Sequence, residues 1–394
     1  MENKKSSQKP SKSRDRKSVL QICGPVLQFS HLLIDPMKDV KIQAGQLPFD
    51  DTRHFDRDAF EPIEILGSGN FGTVYKGILK QVPGVNSDIT IAIKTISYEG
   101  EDERRDFMNE IKIMGYVEPH HNLVSMIGFC KQVTDDAKMW LLLEYCQHGE
   151  LLKYLVKNKK NLLQDVFETN IPHSTEPQVN SRYLIRWAYD ISKGMEYLNE
   201  KKIMHGDLAA RNIMLTEKPH KNGISIVAMV ADFGLSKDFH GMKEEYIKSK
   251  RLMIPWRWMA IEFLNDGYFT LTSDVWSFGV VVWELLAFGK KPYGFLDPDN
   301  VIENIKLGHY LPCPDDAREI EGWPARQLYH EVTRRCFVPE PENRADFFEI
   351  GGIIENYLTS EESIIYSDIK NDYYTKARRM SSPLRNFVDK KSEG

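Results

Sequence analysis

Alternation of apolar and polar positions is clearest between Asp88 and Ile96. Ile89, Ile91 and Ile93 fall on one side of an extended chain, and Thr90, Ala92, Lys94 and Ile96 on the other, which predicts a strand with one buried face. Strand and turn signals fill the stretch from Ile63 to Ile96, and a helical pattern starts near Glu103. Met139 to Glu144 predicts a further strand, closed by a turn around Gly149. Beyond it the pattern is mostly helical. Tyr183 to Lys201 places Ile185, Ala188, Tyr189, Ile191, Met195 and Leu198 on or near one face, as an amphipathic helix requires. Asp274 to Leu286 is almost wholly apolar and predicts a buried helix. A small β-rich part followed by a larger helical part implies an α+β fold of two lobes with a cleft between them. Lys157 to Asn180 is polar and carries two prolines, so it reads as an inserted flexible loop.

Residues 1–50 read as a basic tail and linker. Met1 to Lys17 carries seven Lys or Arg against two acids. The apolar stretch Val19 to Ile34 is interrupted by Gln21, Pro25, Gln28, Ser30 and His31, and is shorter than the roughly 20 apolar residues of a spanning helix. A membrane-surface anchor is the alternative to a disordered linker there. With 394 residues, 41% hydrophobic and 28% charged, the composition is that of an ordinary globular protein. A net charge of -5 gives no reason to expect nucleic-acid binding. Cys23, Cys130, Cys146, Cys313 and Cys336 are scattered with no CxxC pair, which argues against a zinc site or disulfide framework and for reduced thiols in the cytoplasm.

Candidate chemistry starts at Gly67-Ser68-Gly69-Asn70-Phe71-Gly72-Thr73-Val74. Glycines let backbone N–H groups approach anionic phosphates without a Cβ in the way. A dinucleotide-binding loop would open a helix, whereas Thr73-Val74-Tyr75-Lys76 is rich in β-formers, so this loop joins two strands and a NAD-dependent oxidoreductase does not fit. Lys94 follows Gly72 by 22 residues, on the face of its strand opposite Ile91 and Ile93. An ammonium in an apolar strand needs an anionic partner, and Glu110 in the helical run Phe107 to Met114 offers one. Asp207 and Asn212 in His205-Gly206-Asp207-Leu208-Ala209-Ala210-Arg211-Asn212 supply a carboxylate and, five residues on, an amide. Asp232 in Asp232-Phe233-Gly234, after the apolar stretch Ile226 to Ala231, supplies a second carboxylate. A phosphoryl donor needs hard oxygen ligands for Mg²⁺ and a base to accept a hydroxyl proton, and groups of this kind can serve as both. Any one of these motifs is weak; the ordered set is not.

In this order and spacing, Phe55 to Leu358, about three quarters of the chain, resembles a eukaryotic protein kinase domain. The resemblance implies a bilobal fold, with an N-lobe over about 55–144, a C-lobe over about 147–358, an insert over about 157–180 and a C-terminal tail over 359–394. It implies ATP and Mg²⁺ as cofactors, with Mn²⁺ as an alternative. Leu66, Gly67, Ser68, Gly69, Asn70, Phe71, Gly72, Val74 and Ala92 would cover the nucleotide; Leu143, Glu144, Tyr145 and Cys146 would form the gatekeeper and hinge. Lys94, positioned by Glu110, would hold the α- and β-phosphates; Asp207 would be the catalytic base, and Asn212 and Asp232 the metal ligands. Asp274 and the pair Glu262–Arg344 would be structural. Ala209-Ala210-Arg211, Pro255-Trp256-Arg257-Trp258-Met259-Ala260, Asp274-Val275-Trp276-Ser277-Phe278-Gly279 and Lys291-Pro292-Tyr293 resemble the tyrosine-specific branch, with Arg211 in its catalytic loop. Leu47-Pro48-Phe49-Asp50, Phe55-Asp56-Arg57-Asp58, Gly194-Met195-Glu196-Tyr197-Leu198 and the insert resemble the split-kinase receptors for platelet-derived, vascular endothelial and fibroblast growth factors.

Gly206 departs from the pattern, because most such kinases carry there an Arg that reads a phosphorylated activation loop. Ile261 replaces a proline, and Phe337 and Ala345 replace a usual Trp and Pro. None of these removes a group that would touch ATP or Mg²⁺. The expected function is tyrosine phosphorylation of protein substrates in signalling, with a pseudokinase scaffold of the same fold as the alternative. Tyr246 is the activation-loop phosphosite candidate. Tyr366, Tyr373 and Tyr374 in the tail are candidates for docking phosphotyrosine-reading adaptor proteins, and no nucleic acid is expected as partner. The expected location is cytoplasmic, with membrane association left open.

Overall fold

The computed structural model describes residues 44–45, 47, 50–69, 72–80, 88–97, 101–131, 138–163, 179–233, 254–318, 320 and 324–388. Five strands form one antiparallel sheet: β1 (Phe60–Gly69), β2 (Gly72–Leu79), β3 (Ile89–Ser97), β4 (Met126–Cys130) and β5 (Lys138–Glu144), in the order β1-β2-β3-β5-β4. The alternation read along β3 is realised. Ile89, Ile91 and Ile93 are buried with Phe60, Leu79, Trp140 and Leu142 in a core on one face. Lys94 lies on the other face, opposite Val74 of β2 and Leu141 of β5. Helix α1 (Glu101–Tyr116) buries Phe107, Ile111 and Met114, and it turns Glu110 inward as well.

The second lobe is mainly helical. Its short sheet pairs β6 (Gly149–Glu150), β7 (Ile213–His220) and β8 (Gly223–Val230). Around it lie α2 (Leu151–Leu162), α3 (Arg182–Glu200), α4 (Ile261–Asp266), α5 (Ser273–Leu286), α6 (Pro298–Lys306), α7 (Ala325–Cys336), α8 (Phe347–Glu355) and α9 (Ser360–Val388). Nearly every residue of α5 is buried, as its apolar run requires. The lobes are joined by residues 117–125 as well as by the chain after β5. Val124 N donates to Val230 O at 2.9 Å, and Val230 N donates to Asn122 O at 2.8 Å. Gly194 of α3 permits this close approach, since a Cβ there would sit 2.8 Å from Asn122 O.

Two expectations from the sequence are corrected. The stretch from Lys157, whose polarity predicts a loop, is helical as far as Leu162, because Leu155 and Leu162, seven residues apart, are both fully buried, and Lys157, Asn158 and Lys160 only furnish the outer face of α2. Residues 164–178 of that insert lie outside the described residues. The C-terminal tail, expected as an extension beyond the last domain helix, is regular over its described part: residues 389–394 lie outside the described residues, and Ser360–Val388 is one helix, α9, with Ile369 and Tyr373 buried. Its start is a capping box: Glu362 N donates to Thr359 Oγ1 at 3.2 Å and Thr359 N donates to Glu362 Oε2 at 2.7 Å. No helix among the described residues is long and apolar enough to cross a membrane.

Candidate active site

The cleft between the lobes gathers the residues singled out in the sequence. Gly67, Ser68 and Gly69 end β1 and Gly72 opens β2, with Gly69 paired to Gly72 across the turn and Ser68 Oγ 3.2 Å from Thr73 Oγ1. Asn70 and Phe71, at the tip, lie outside the described residues. Leu66 is exposed, and Val74 and Ala92 are half-buried. Leu143 at the end of β5 packs with Val124, Cys146, Met214, Met229 and Ala231 in a small apolar cluster between the two sheets. Burial, reinforced by the Glu144 carboxylate, pushes the Cys146 thiol up, so it behaves there as an apolar group. Glu144 itself pairs with Lys218 at 2.5 Å, and its backbone N donates to Ser125 O at 3.0 Å.

Lys94 is only 3% exposed. Its Nζ donates to Glu110 Oε1 at 2.6 Å and to Asp232 Oδ1 at 3.1 Å. Burial alone would lower this ammonium; the two carboxylates outweigh it and hold Lys94 above its ordinary value. Lys94 in turn holds the Asp232 carboxyl below the usual range. Asp232 adopts φ 55°, a left-handed backbone that costs an ordinary residue about 1–3 kcal/mol and is found mainly at functional positions. The neighbouring Phe233 is buried in the core that also holds Met114 and Leu123, which locks this conformation from below.

On the helical side, residues 205–212 form a loop held at both ends. Arg211 Nη2 donates to Asp207 Oδ1 at 2.5 Å, and Asn212 Nδ2 donates to Asp207 O at 2.7 Å and to Asp207 Oδ2 at 3.0 Å. Ala231 N donates to Asn212 O at 2.9 Å, which ties this loop to the residue before Asp232. His205 is fully buried, and its Nδ1 accepts from Asp207 N at 3.3 Å. Its Nε2 therefore carries the proton and donates to Ala231 O at 3.0 Å, and burial keeps the ring neutral by lowering its pKa. The Asp274 carboxylate accepts from His205 N at 2.7 Å and from Gly206 N at 2.9 Å. Gly206 has φ 73°, a conformation that favours glycine.

Some contributors escaped the sequence reading. Glu284 of α5 is buried, accepts from Ala210 N and from Trp258 Nε1, each at 2.9 Å, and is pushed up to about 7 by burial. Trp258 lies beneath the Arg211 guanidinium, 4.4 Å from it. An acid deep in an apolar helix was the available signal, since it must find partners. Met214 could have been found from its place two residues past Asn212 on a strand. Glu262 and Arg344 form a buried bidentate pair at 2.8 and 2.9 Å, supported by Ser273 Oγ, which donates to Glu262 at 2.7 Å. Tyr246 lies outside the described residues.

The donor chemistry fits a nucleotide with its cation. Asp232 and Asn212 offer hard oxygens suited to Mg²⁺, and because Asn212 Nδ2 is turned toward Asp207, its Oδ1 is directed away from that carboxylate. A glycine hairpin above a buried ammonium suits phosphate.

A five-stranded lobe set over a helical lobe, with these groups facing one another, is the bilobal protein kinase fold. Residues 60–354 match the family described as protein tyrosine and serine/threonine kinase, and the chain belongs to it. Its relatives include receptors. The chain is 32% identical over 311 residues to an angiopoietin-1 receptor of Danio rerio, covering 77% of this chain and 25% of that protein. It is 31% identical over 314 residues to a fibroblast growth factor receptor of Ciona intestinalis, covering 78% and 39%. With the tyrosine kinase receptor Cad96Ca of Drosophila melanogaster the figures are 32% over 316 residues, 80% and 38%. The chain thus spans less than two-fifths of the length of these relatives.

Proposed function

We propose that this chain is a protein-tyrosine kinase that transfers the γ-phosphoryl group of ATP to tyrosine hydroxyls of protein substrates, as a step in signalling. The observation that carries the reading is the convergence of Lys94, Glu110 and Asp232 with Asp207, Arg211 and Asn212 in one cleft. ATP supplies the phosphoryl group, and Mg²⁺ offsets its charge. Lys94, fixed by Glu110, binds the α- and β-phosphates from below the hairpin of Gly67, Gly69 and Gly72. Asp232 and Asn212 hold the cation. Asp207 orients the substrate hydroxyl and accepts its proton, while Asn212 and Arg211 keep that carboxylate in place. Leu66, Val74, Ala92, Leu143 and Cys146 enclose the base, with Met214 as floor. The Arg211–Trp258–Glu284 stack shapes the substrate side and supports tyrosine over the shorter serine or threonine. The kinship to tyrosine kinase receptors supports the same choice.

Labelled-ATP assays on a random glutamate–tyrosine polymer and on a serine/threonine peptide pool test the reading. Label on the tyrosine polymer alone is expected. ATP binding with no transfer to either would instead place the chain among scaffolds of the same fold.

A further inference from the structure

The C-terminal helix packs against both the helical lobe and the segment 117–125 that joins the two lobes. On the helical lobe, Arg182 of α3 donates to Glu362 at 3.1 and 2.5 Å, and Lys221 in the β7–β8 turn pairs with Asp368 at 2.8 Å. On the segment 117–125, His121 Nε2 lies 2.8 Å from Tyr366 Oη, and Ser125 Oγ lies 3.4 Å from Tyr373 Oη. That segment is the root of α1, which carries Glu110. It also meets the end of β5, through the bond from Glu144 N to Ser125 O. A helix fastened to 117–125 therefore limits how far α1 can swing, and in this structure the fastened helix coexists with the closed Lys94–Glu110 pair.

We propose that α9 is a brace that holds the root of α1 against the helical lobe, and that Tyr366 is its phosphorylation switch, modified once the helix is released and unable to dock again afterwards. The Tyr366 ring is wedged against Tyr189 at 4.8 Å and His121 at 5.1 Å. The cavity beside it is about 10 Å³, space for one water and no more. Asp190 and Glu362 line that cavity, and its guanidinium, Arg186, already donates to Ser225 Oγ. Burial, joined by the Asp190 and Glu196 carboxylates, pushes the Tyr366 phenol far up, so the site resists negative charge. Tyr366 is half-buried, and a phosphate would add about -1.5 to -2 charge and three oxygens that neither the cavity beside the ring nor the engaged Arg186 can take in while the helix stays docked. In the docked helix the hydroxyl faces His121 and cannot enter a kinase cleft. In the released helix it can: the bond between the γ-phosphorus of ATP and the β–γ bridging oxygen breaks, a bond forms to Tyr366 Oη, the phenolic proton passes to the base carboxylate, and ADP leaves.

Self-modification by this chain rests on the kinase reading above, so the test uses an added, independently active tyrosine kinase with MgATP. The full chain and its Ile369→Asp variant are compared by phosphopeptide mapping and by hydrogen exchange over residues 117–125. Ile369 is 5% exposed, and a carboxylate there should release the helix. The variant is expected to label Tyr366 at least about tenfold faster and to exchange 117–125 at least about tenfold faster, while the half-exposed Tyr268 labels equally in both. Wild-type chain phosphorylated on Tyr366 should show the same fast exchange. Should Ile369→Asp not fold, Asp368→Lys, which sets two ammonium groups together at Lys221, is expected to give the same changes at about threefold. Equal Tyr366 labelling in wild type and variant, or unaltered exchange at 117–125 after Tyr366 is phosphorylated, overturns the proposal.

Discussion

Removing the charge of Glu110 while keeping its shape probes the site most sharply. Lys94 and Glu110 are 3% and 1% exposed, so their 2.6 Å contact is shielded from water. In Glu110→Gln a carbonyl acceptor remains within reach, but the ammonium loses its nearest counter-charge. Its other partner, Asp232, is 3.1 Å away with a side chain 44% accessible, so solvent weakens what it can give in exchange. A hydrogen bond to a charged group contributes about 1.5–3 kcal/mol, and a buried ion stripped of its partner costs about 3–5 kcal/mol. Lys94 keeps one carboxylate, so the lower range of about 1.5–3 kcal/mol applies to Glu110→Gln, and the upper to Glu110→Ala. Turnover should suffer more, since misplacing a reacting group by about 1 Å costs on the order of 10²-fold. Urea unfolding, with kcat and the KM for ATP measured on the same preparation, checks both. A variant within about 0.5 kcal/mol of wild type and within about twofold in kcat would refute the reasoning, because the pair would then be doing nothing that an amide cannot.

Other consequences concern the support of the site. Arg344→Met leaves the Glu262 carboxylate buried with Ser273 as its remaining side-chain donor and should cost about 3–5 kcal/mol in urea unfolding. Gly206→Ala places a Cβ on a left-handed backbone next to Asp207, at about 1–2 kcal/mol, read as a lowered Tm with reduced kcat. Asp274 and Glu284 are both pushed up to about 7 by burial, against ordinary values of 3.8 and 4.5. The folded state therefore holds these protons more tightly than the unfolded chain, and their contribution is fully present below the unfolded values and lost as pH rises through about 7. Urea midpoints from pH 5 to pH 8 should fall accordingly, and Asp274→Asn should flatten that slope even though it lowers stability overall.

Much of this was legible from residue order. The alternation along β3 placed Lys94 opposite the isoleucine face, where it needs acids, and Glu110 on the next helix was within reach of a sequence argument, whereas the second carboxylate, Asp232, comes from 138 residues further on. The apolar run of α5 was equally readable, since no solvent-facing helix has that composition. The end of the chain was misread for a physical reason. Glu362, Tyr366, Ile369 and Tyr373 recur at spacings of four, three and four, which is a helical stripe. Tyrosines beside acids look like exposed substrate groups, whereas an amphipathic ring can be buried or half-buried if its hydroxyl finds a partner, as Tyr373 finds Ser125 and Tyr366 finds His121. The lysines of α2 misled in the same way: Lys159 is not loop solvent-filler but pairs with Asp316 at 2.5 Å. Glu284 was hidden because its partners, Ala210 and Trp258, come from distant stretches of chain that only the fold brings together.

The central claim is that Asp207 acts as the base in a cleft otherwise complete for ATP. It is tested most directly by measuring nucleotide affinity and single-turnover phosphoryl transfer to a tyrosine peptide on one preparation of Asp207→Asn. Asparagine keeps the shape that Arg211 and Asn212 hold but cannot take up the proton. Affinity for MgATP should stay close to wild type, while the transfer rate falls by about 10²–10⁴-fold. Transfer at the wild-type rate, with affinity unchanged, would contradict the assignment of Asp207 and with it the mechanism built on this cleft.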